Sequence, residues 1–459
     1  MDASAPRGAP PPPGGGAPVS GDRDAAAAES GTAQTVSTFY ETHPYPPPIE
    51  SLDAYRQSWD DARRRADAAL FWPTQGYRDD RRILVAGCGT SQAAKYAVRW
   101  PRAQVTGIDV SQASIAQTQR LKDRHGLDNL QLKVMPVERA SDLAGEFDQV
   151  VCTGVLHHLP DPDHGLRALR EVLAPDGAMH LMLYAPYGRT GVYMLQDYCR
   201  RLGIGSTSSE IHELASALGM LPREHPLVPL LHNMRDFHSE AGLADALLHP
   251  QDRAYSVPQM FDLLAGAGLE FGRWLRQAAY LPQCGLFASS PHRSRLEQLP
   301  ASEQYAAVEL FRGSMVHHSL VAYRNDYARR PSLSFDGDAW LDYVPIRLPE
   351  TIAVQKNLPA SAEAVLINRS HTCTDVYLPV DARQKILFDR IDGARTIRDI
   401  ADRDSAVDSD SAVDDAALPI ARTLFEQLWN YDQVVFAMPR EANEHAPSST
   451  LSMPEGNLL

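Results

Sequence analysis

The run Ile83–Gly87 (ILVAG) is short, apolar and bounded by charge on one side and glycine on the other. Such a run reads as a strand buried on both faces. It passes straight into the turn Gly87-Cys88-Gly89 and then into a helix-like stretch ending near Trp100. The pattern then repeats. QVTGID (Gln104–Asp109) predicts a second strand and Gln112–His125 a helix, and LQLKVM (Leu130–Met135) predicts a third strand. FDQVVCTG (Phe147–Gly154) predicts a fourth strand, Gly165–Leu173 a helix, and Ala178–Ala185 a fifth strand. Strands alternating with helices through short connections mean βαβ units and a parallel sheet. The expected architecture is therefore a Rossmann-like, doubly wound α/β domain.

The first turn carries the chemistry of such a domain. Glycines at Gly87 and Gly89 let the chain bend tightly and let a ligand approach the backbone. The helix that follows offers unpaired N–H groups. Asp109 ends the second strand twenty positions after Gly89, where a carboxylate can accept two hydrogen bonds from a ribose diol. Nicotinamide dinucleotides and S-adenosylmethionine (SAM) both suit this geometry. The dinucleotide fingerprint asks for Gly or Ala at its sixth position, and Gln92 stands there. SAM has no pyrophosphate and less need of close helix approach, so it fits better.

Charge and cysteine usage remove other classes. Lys and Arg total 44 against 58 Asp and Glu, a net −14, which disfavours non-specific coating of nucleic acid. No run of about 18 apolar residues suggests a membrane span. The five cysteines, Cys88, Cys152, Cys199, Cys284 and Cys373, form no CxxC, so neither a zinc site nor a disulfide framework is expected, and a reducing cytoplasm fits.

Residues 1–35, rich in Pro, Gly and Ala, read as a disordered arm. A cap segment follows over 36–80, with VSTFYETHPYPPP and a helix over about Asp53–Leu70. The α/β core spans 81–326 and includes a helical lid over about 186–255. Beyond it, LEFGRWLRQ and QCGLFASS predict two closing strands over 269–290, and Glu303–Tyr323 predicts a helix carrying His317 and His318 on its surface. Residues 327–332 read as a linker, 333–438 as an accessory domain and 439–459 as a disordered tail.

The segments ILVAGCGTSQ, VTGIDVS, FDQVVCTGVLHHLPDP and LREVLAPDGAMHLMLY together resemble class I SAM-dependent methyltransferases. VLHHLPDPDHGLRALREVLAPDG is similar to a bacterial subgroup in which a tyrosine-and-proline motif like FYETHPYP precedes the core. The resemblance implies a seven-stranded sheet and methyl transfer from SAM to a small-molecule or peptide acceptor. It implies that Gly87, Cys88 and Gly89 line the methionine moiety, that Asp109 holds the ribose and that Val110 packs on adenine. Pro136 stands where an aspartate is common, so Val137 and Glu138 take the adenine amine. Thr153 and Gly154 end the fourth strand beside the methyl group. Ser91 replaces a third glycine.

Candidates at the reacting end are His158, Tyr184 and Tyr40. Imidazole can take a proton near neutral pH. A tyrosine can orient a nucleophile while its ring faces a cation. The alternative for the His157-His158 pair is packing under the cofactor. Two histidines in sequence followed by LPDP lack a helical ligand spacing, so no metal is expected. Arg189 reads as a solvated loop residue, with pairing to a substrate carboxylate as the alternative. The stretch Leu378–Arg403 with ARTLFEQLWNYDQVVF (Ala421–Phe436) suggests a winged-helix-like α+β unit and resembles small domains that bind leader peptides. A peptide contact is one expected role for it, and a structural or homodimer-contact role is the alternative. A cofactor-binding or peptide-binding module without catalysis is the alternative to the enzyme.

Overall fold

The computed structural model describes residues 34–327, 333–402 and 417–439. The expected tail from residue 440, the linker from residue 328 and the arm to residue 33 lie outside them. Residues 34 and 35 already belong to a helix over 34–42.

Seven strands build the main sheet: β1 (Arg82–Ala86), β2 (Gln104–Asp109), β3 (Leu130–Val134), β4 (Phe147–Thr153), β5 (Leu173–Tyr184), β6 (Leu269–Trp274) and β7 (His317–Arg324). Their order is β3-β2-β1-β4-β5-β7-β6. β1 to β5 pair in parallel, whereas β7 enters antiparallel between β5 and β6. That insertion departs from the parallel six-stranded order of dinucleotide-binding domains. The seven strands are those the resemblance implied, and the doubly wound plan agrees with the alternation of strand and helix.

The order reverses between β1 and β4, so their carboxyl ends diverge and leave a crevice, the usual ligand position in an open α/β sheet. The central strands β1 and β4 are apolar on both faces because helices cover both, whereas the edge strand β3 exposes Gln131 and Lys133. One face packs Leu84, Val150, Leu181 and Leu320 against Leu166, Leu169 and Leu263. The other packs Ile83, Val85, Val105 and Val151 against Ala93, Ala97 and Leu121. Asp161 caps the helix Pro162–Glu171, and Ser111 caps Gln112–His125, each side chain accepting a backbone N–H of the first turn. Helices Thr190–Leu202, Ser208–Leu218, Val228–Asn233 and Glu240–Leu248 form the lid, with their own core around Val192, Ile211, Leu214 and Ala244.

Three expectations fail locally. The helix over 53–70 is two helices, Asp53–Gln57 and Asp61–Phe71. They are split because Asp60 caps the second, its carboxylate accepting from Arg63 N at 2.8 Å. QCGLFASS holds no strand, only a 3-10 turn over Gly285–Ser289. The strand that closes the sheet lies later, in β7. The helix expected through Tyr323 stops at Arg312, where Gly313 takes the left-handed conformation. His318 is therefore wholly buried in the sheet, with Tyr280 Oη 2.8 Å from its Nδ1 and Glu309 3.1 Å from its Nε2.

After β7 come two small sheets. One is three-stranded, β9 (Thr351–Val354), β10 (Ala364–Asn368) and β11 (Leu378–Val380), and the other pairs β8 (Val344–Arg347) with β12 (Val434–Ala437). Helices Ala382–Asp389, Ile397–Asp402 and Ala417–Asn430 complete this C-terminal unit. It is fastened to the core by Asp432, which is nearly inaccessible. The carboxylate accepts from Arg273 at 3.1 Å and from Ala278 N at 3.0 Å. Arg312 and Asp375 add a two-pronged pair at 3.0 Å.

Candidate functional site

At the tip of β1, Gly87 and Gly89 both adopt positive φ, +65° and +53°. A side chain at Gly87 would place its Cβ 2.3 Å from Val155, and one at Gly89 would sit 2.6 Å from the Tyr45 carbonyl. Glycine at both positions is what keeps the crevice clear. Asp109 links the two strand tips, its carboxylate accepting from Gly89 N at 2.8 Å and from Ser111 N at 2.9 Å. Burial pushes this carboxyl up, and those two N–H donors pull it back. Gln92 donates to Thr153 Oγ1 at 2.6 Å, joining the first helix to the end of β4.

The N-terminal segment straps itself over this edge. Thr90 Oγ1 donates to the Pro46 carbonyl at 2.6 Å. Glu41 accepts from Ala113 N at 3.2 Å at the start of the helix Gln112–His125, where an acid is favoured. Helix 34–42 and the Tyr45-Pro46 turn thus close one wall of the crevice.

A cavity of about 820 Å³ opens there. Gly87, Cys88, Gly89, Asp109, Val110, Val137, Thr153 and Gly154 all line it. Glu138 is half-buried and is not among the lining residues. The same cavity reaches Tyr40, His158 and Tyr184, so the three candidates for the reacting end share one space with the glycine turn. The crevice is open and offers glycine backbone, an acid at the second strand tip and an apolar Val110–Val137 wall. This donor set fits an adenosyl group linked to an amino acid.

At the far wall, the lid contributes Asp245, which the sequence reading missed. It is buried, and Tyr40 Oη donates to it at 3.0 Å and Tyr184 Oη at 3.5 Å. Burial, and next the Asp245 charge, push both phenols well above their ordinary value. They are donors here, not bases. His157 stacks on Tyr184 at 3.7 Å. Arg189 covers the same ring with its guanidinium 3.5 Å from the centroid and pairs with Asp252 at 3.2 Å. Arg189 is thus buried, contrary to its reading as a solvated residue, because Tyr184 and Asp252 give it a stacking face and a counter-charge.

The tautomers of two histidines follow from their backbone partners. His158 Nδ1 lies 2.7 Å from the Gln251 carbonyl, which only accepts, so Nδ1 carries the proton and Nε2 holds a lone pair. His249 Nδ1 accepts from Gln251 N at 3.0 Å, so its proton sits on Nε2. The rings are 3.9 Å apart. Burial, and next the neighbouring His158, push His249 down to about 2. His158, Asp245 and His249 bring ligand-type atoms within 4.8 Å of one another. The protonated Nε2 of His249 is a hydrogen-bond donor, which disfavours this trio as a metal centre.

Residues 84–179 match the model of a methyltransferase domain. An uncharacterised protein of Synechococcus sp. is 31% identical over 340 residues, 70% of this chain and 78% of that protein. A ubiquinone biosynthesis O-methyltransferase of Bordetella avium is 34% identical over 106 residues, 22% of this chain, and the match spans only 42% of that enzyme. The solved structure of PKMT2 from Rickettsia typhi in complex with AdoHcy superposes with a TM-score of 0.60 at 14% identity, covering 86% of this chain and 77% of that one. That likeness is one of fold, and it extends beyond the seven-stranded sheet. The chain belongs to one family with the Synechococcus protein, and its core is a class I, SAM-dependent methyltransferase domain.

Proposed function

We propose that SAM lies across the crevice with its methionine moiety against Gly87, Cys88 and Gly89. Asp109 then takes the ribose hydroxyls, Val110 and Val137 flank adenine, with Glu138 nearby as a second acceptor for its amine, and Thr153 and Gly154 sit beside the sulfonium. SAM supplies an electrophilic methyl on positively charged sulfur. The chain supplies position: Tyr40, Tyr184 and His158 hold the acceptor in line. Orientation of this kind accounts for ~7–11 kcal/mol of barrier in well-aligned systems. His158 Nε2 is the available proton acceptor. The observation that carries this reading is the open cavity joining the glycine turn and Asp109 to that trio.

The acceptor is a small molecule or a peptide group. Leu348, Pro349, Glu350, Asn368 and Ser370 of the C-terminal unit line the same cavity, which supports a role for that unit in admitting the acceptor. Calorimetry with SAM and AdoHcy tests the cofactor assignment. Asp109→Ala is expected to weaken both at least tenfold, and unchanged affinity would remove the ribose role. Transfer of a labelled methyl group from SAM into a cell extract tests the activity.

A further inference from the structure

The far wall of the cavity holds an imbalance that the methyl donor does not resolve. Asp245 is 4% exposed. Its carboxylate receives two phenol hydrogens, but among the described residues no lysine or arginine forms an ion pair with it. The guanidinium of Arg189, packed on Tyr184, is taken by Asp252. Burial pushes this carboxyl up, and the neighbouring His158, Tyr40 and Arg189 offset that only in part; a buried carboxylate without an ion pair of its own is costly. Beside it, His158 is 3% exposed. Its Nε2 has no partner among the described residues, and its tautomer makes that atom an acceptor. Both residues line the cavity, and the His249 ring packs against His158 with the ring centres 3.9 Å apart. Two hydrogen-bond acceptors, one of them anionic, thus face one aromatic recess walled by Tyr40 and Tyr184.

We infer that the methyl acceptor is an amine, bound as its ammonium form with Asp245 as counter-ion. An ammonium carries positive charge and several N–H donors, enough for Asp245 and for His158 Nε2. Other occupants satisfy less. A sulfonium has charge but no hydrogen to share. A carboxylate or phosphate would meet Asp245 as a like charge. An alcohol brings one donor and no charge.

The inference rests on the methyltransferase reading and extends it. His158 Nε2 accepts one ammonium proton, which frees the nitrogen lone pair. That lone pair forms the bond to the methyl carbon as the carbon–sulfur bond breaks, its electrons remaining on sulfur. The products are a protonated N-methylamine, neutral AdoHcy and an imidazolium that returns its proton to solvent.

The test compares three ligands of equal chain length, n-butylamine, n-butanol and butyrate, by calorimetry at pH 8, with and without saturating AdoHcy. Butylammonium is expected to bind at least tenfold more tightly than the alcohol or the acid. Asp245→Asn is expected to abolish that preference while AdoHcy affinity stays within twofold, which also reports an intact fold. His158→Gln, which retains an acceptor oxygen, is expected to keep the preference but to lose transfer of label from SAM to butylamine. Equal binding of the three ligands, an unchanged preference in Asp245→Asn, or label entering only oxygen acceptors would overturn the amine assignment. Failure of the wild type to bind AdoHcy would instead overturn the cofactor reading, and the comparison without AdoHcy still decides the amine.

Discussion

Gly89 shows how much one residue can carry. Its φ of +53° and the Tyr45 carbonyl only 2.6 Å from a would-be Cβ leave it no substitute. Gly89→Ala is expected to cost about 1–3 kcal/mol of stability from backbone strain alone, read from the urea midpoint. AdoHcy affinity should fall with it, because the Tyr45-Pro46 strap must move. Gly87, Gly89 and Asp109 were legible in the sequence because their signal is local: a strand, a bend and an acid at a fixed interval. Asp245 and His249 were not. They lie about 90 residues beyond His158, inside a lid helix and at its end, with no pattern to mark them. Arg189 was misread for the same reason, since Asp252, its counter-charge, lies 63 positions further on and is brought to it only by folding.

At the scale of elements, β1 and β4 were readable because burial on both faces makes them nearly continuous apolar runs. β7 was not. HHSLVAYR opens with two histidines, and one of them is buried only because Tyr280 and Glu309 supply its hydrogen bonds. The strands of the C-terminal unit are short and paired with distant segments, β8 with β12 across about ninety residues. Attachment of that unit depends on Asp432, which meets Arg273 and Ala278 in a dry contact. Asp432→Ala leaves the Arg273 guanidinium buried without its carboxylate, and breaking such a pair costs about 3–5 kcal/mol. The expected outcome is a lower denaturation midpoint, with limited proteolysis cutting first in the C-terminal unit while β1–β5 stay protected.

The whole molecule keeps neutral imidazoles in its interior. Burial lowers His157 well below its ordinary value, and burial followed by His158 lowers His249 to about 2. A histidine depressed in this way contributes stability fully present above about pH 6.5, and that contribution is lost as the pH falls toward the folded value. Each such group steepens the acid limb by ~1.4 kcal/mol per pH unit. Denaturation midpoints are therefore expected to fall between pH 7 and pH 5, and to fall less steeply in His249→Leu. A flat profile in the wild type would show that these rings accept protons in place. The cavity is also a property of the whole. Its walls come from the N-terminal strap, the sheet, the lid and the C-terminal unit, and no single segment outlines it.

The sequence alone determined the alternation of strand and helix, the bend after β1 and the acid after β2, because periodicity and glycine conformational freedom act over a few residues. Tertiary structure alone decided which strand closes the sheet, which loop arginine is buried and which carboxylate faces His158. Those outcomes depend on counter-charges and hydrogen-bond partners supplied from tens to hundreds of positions away.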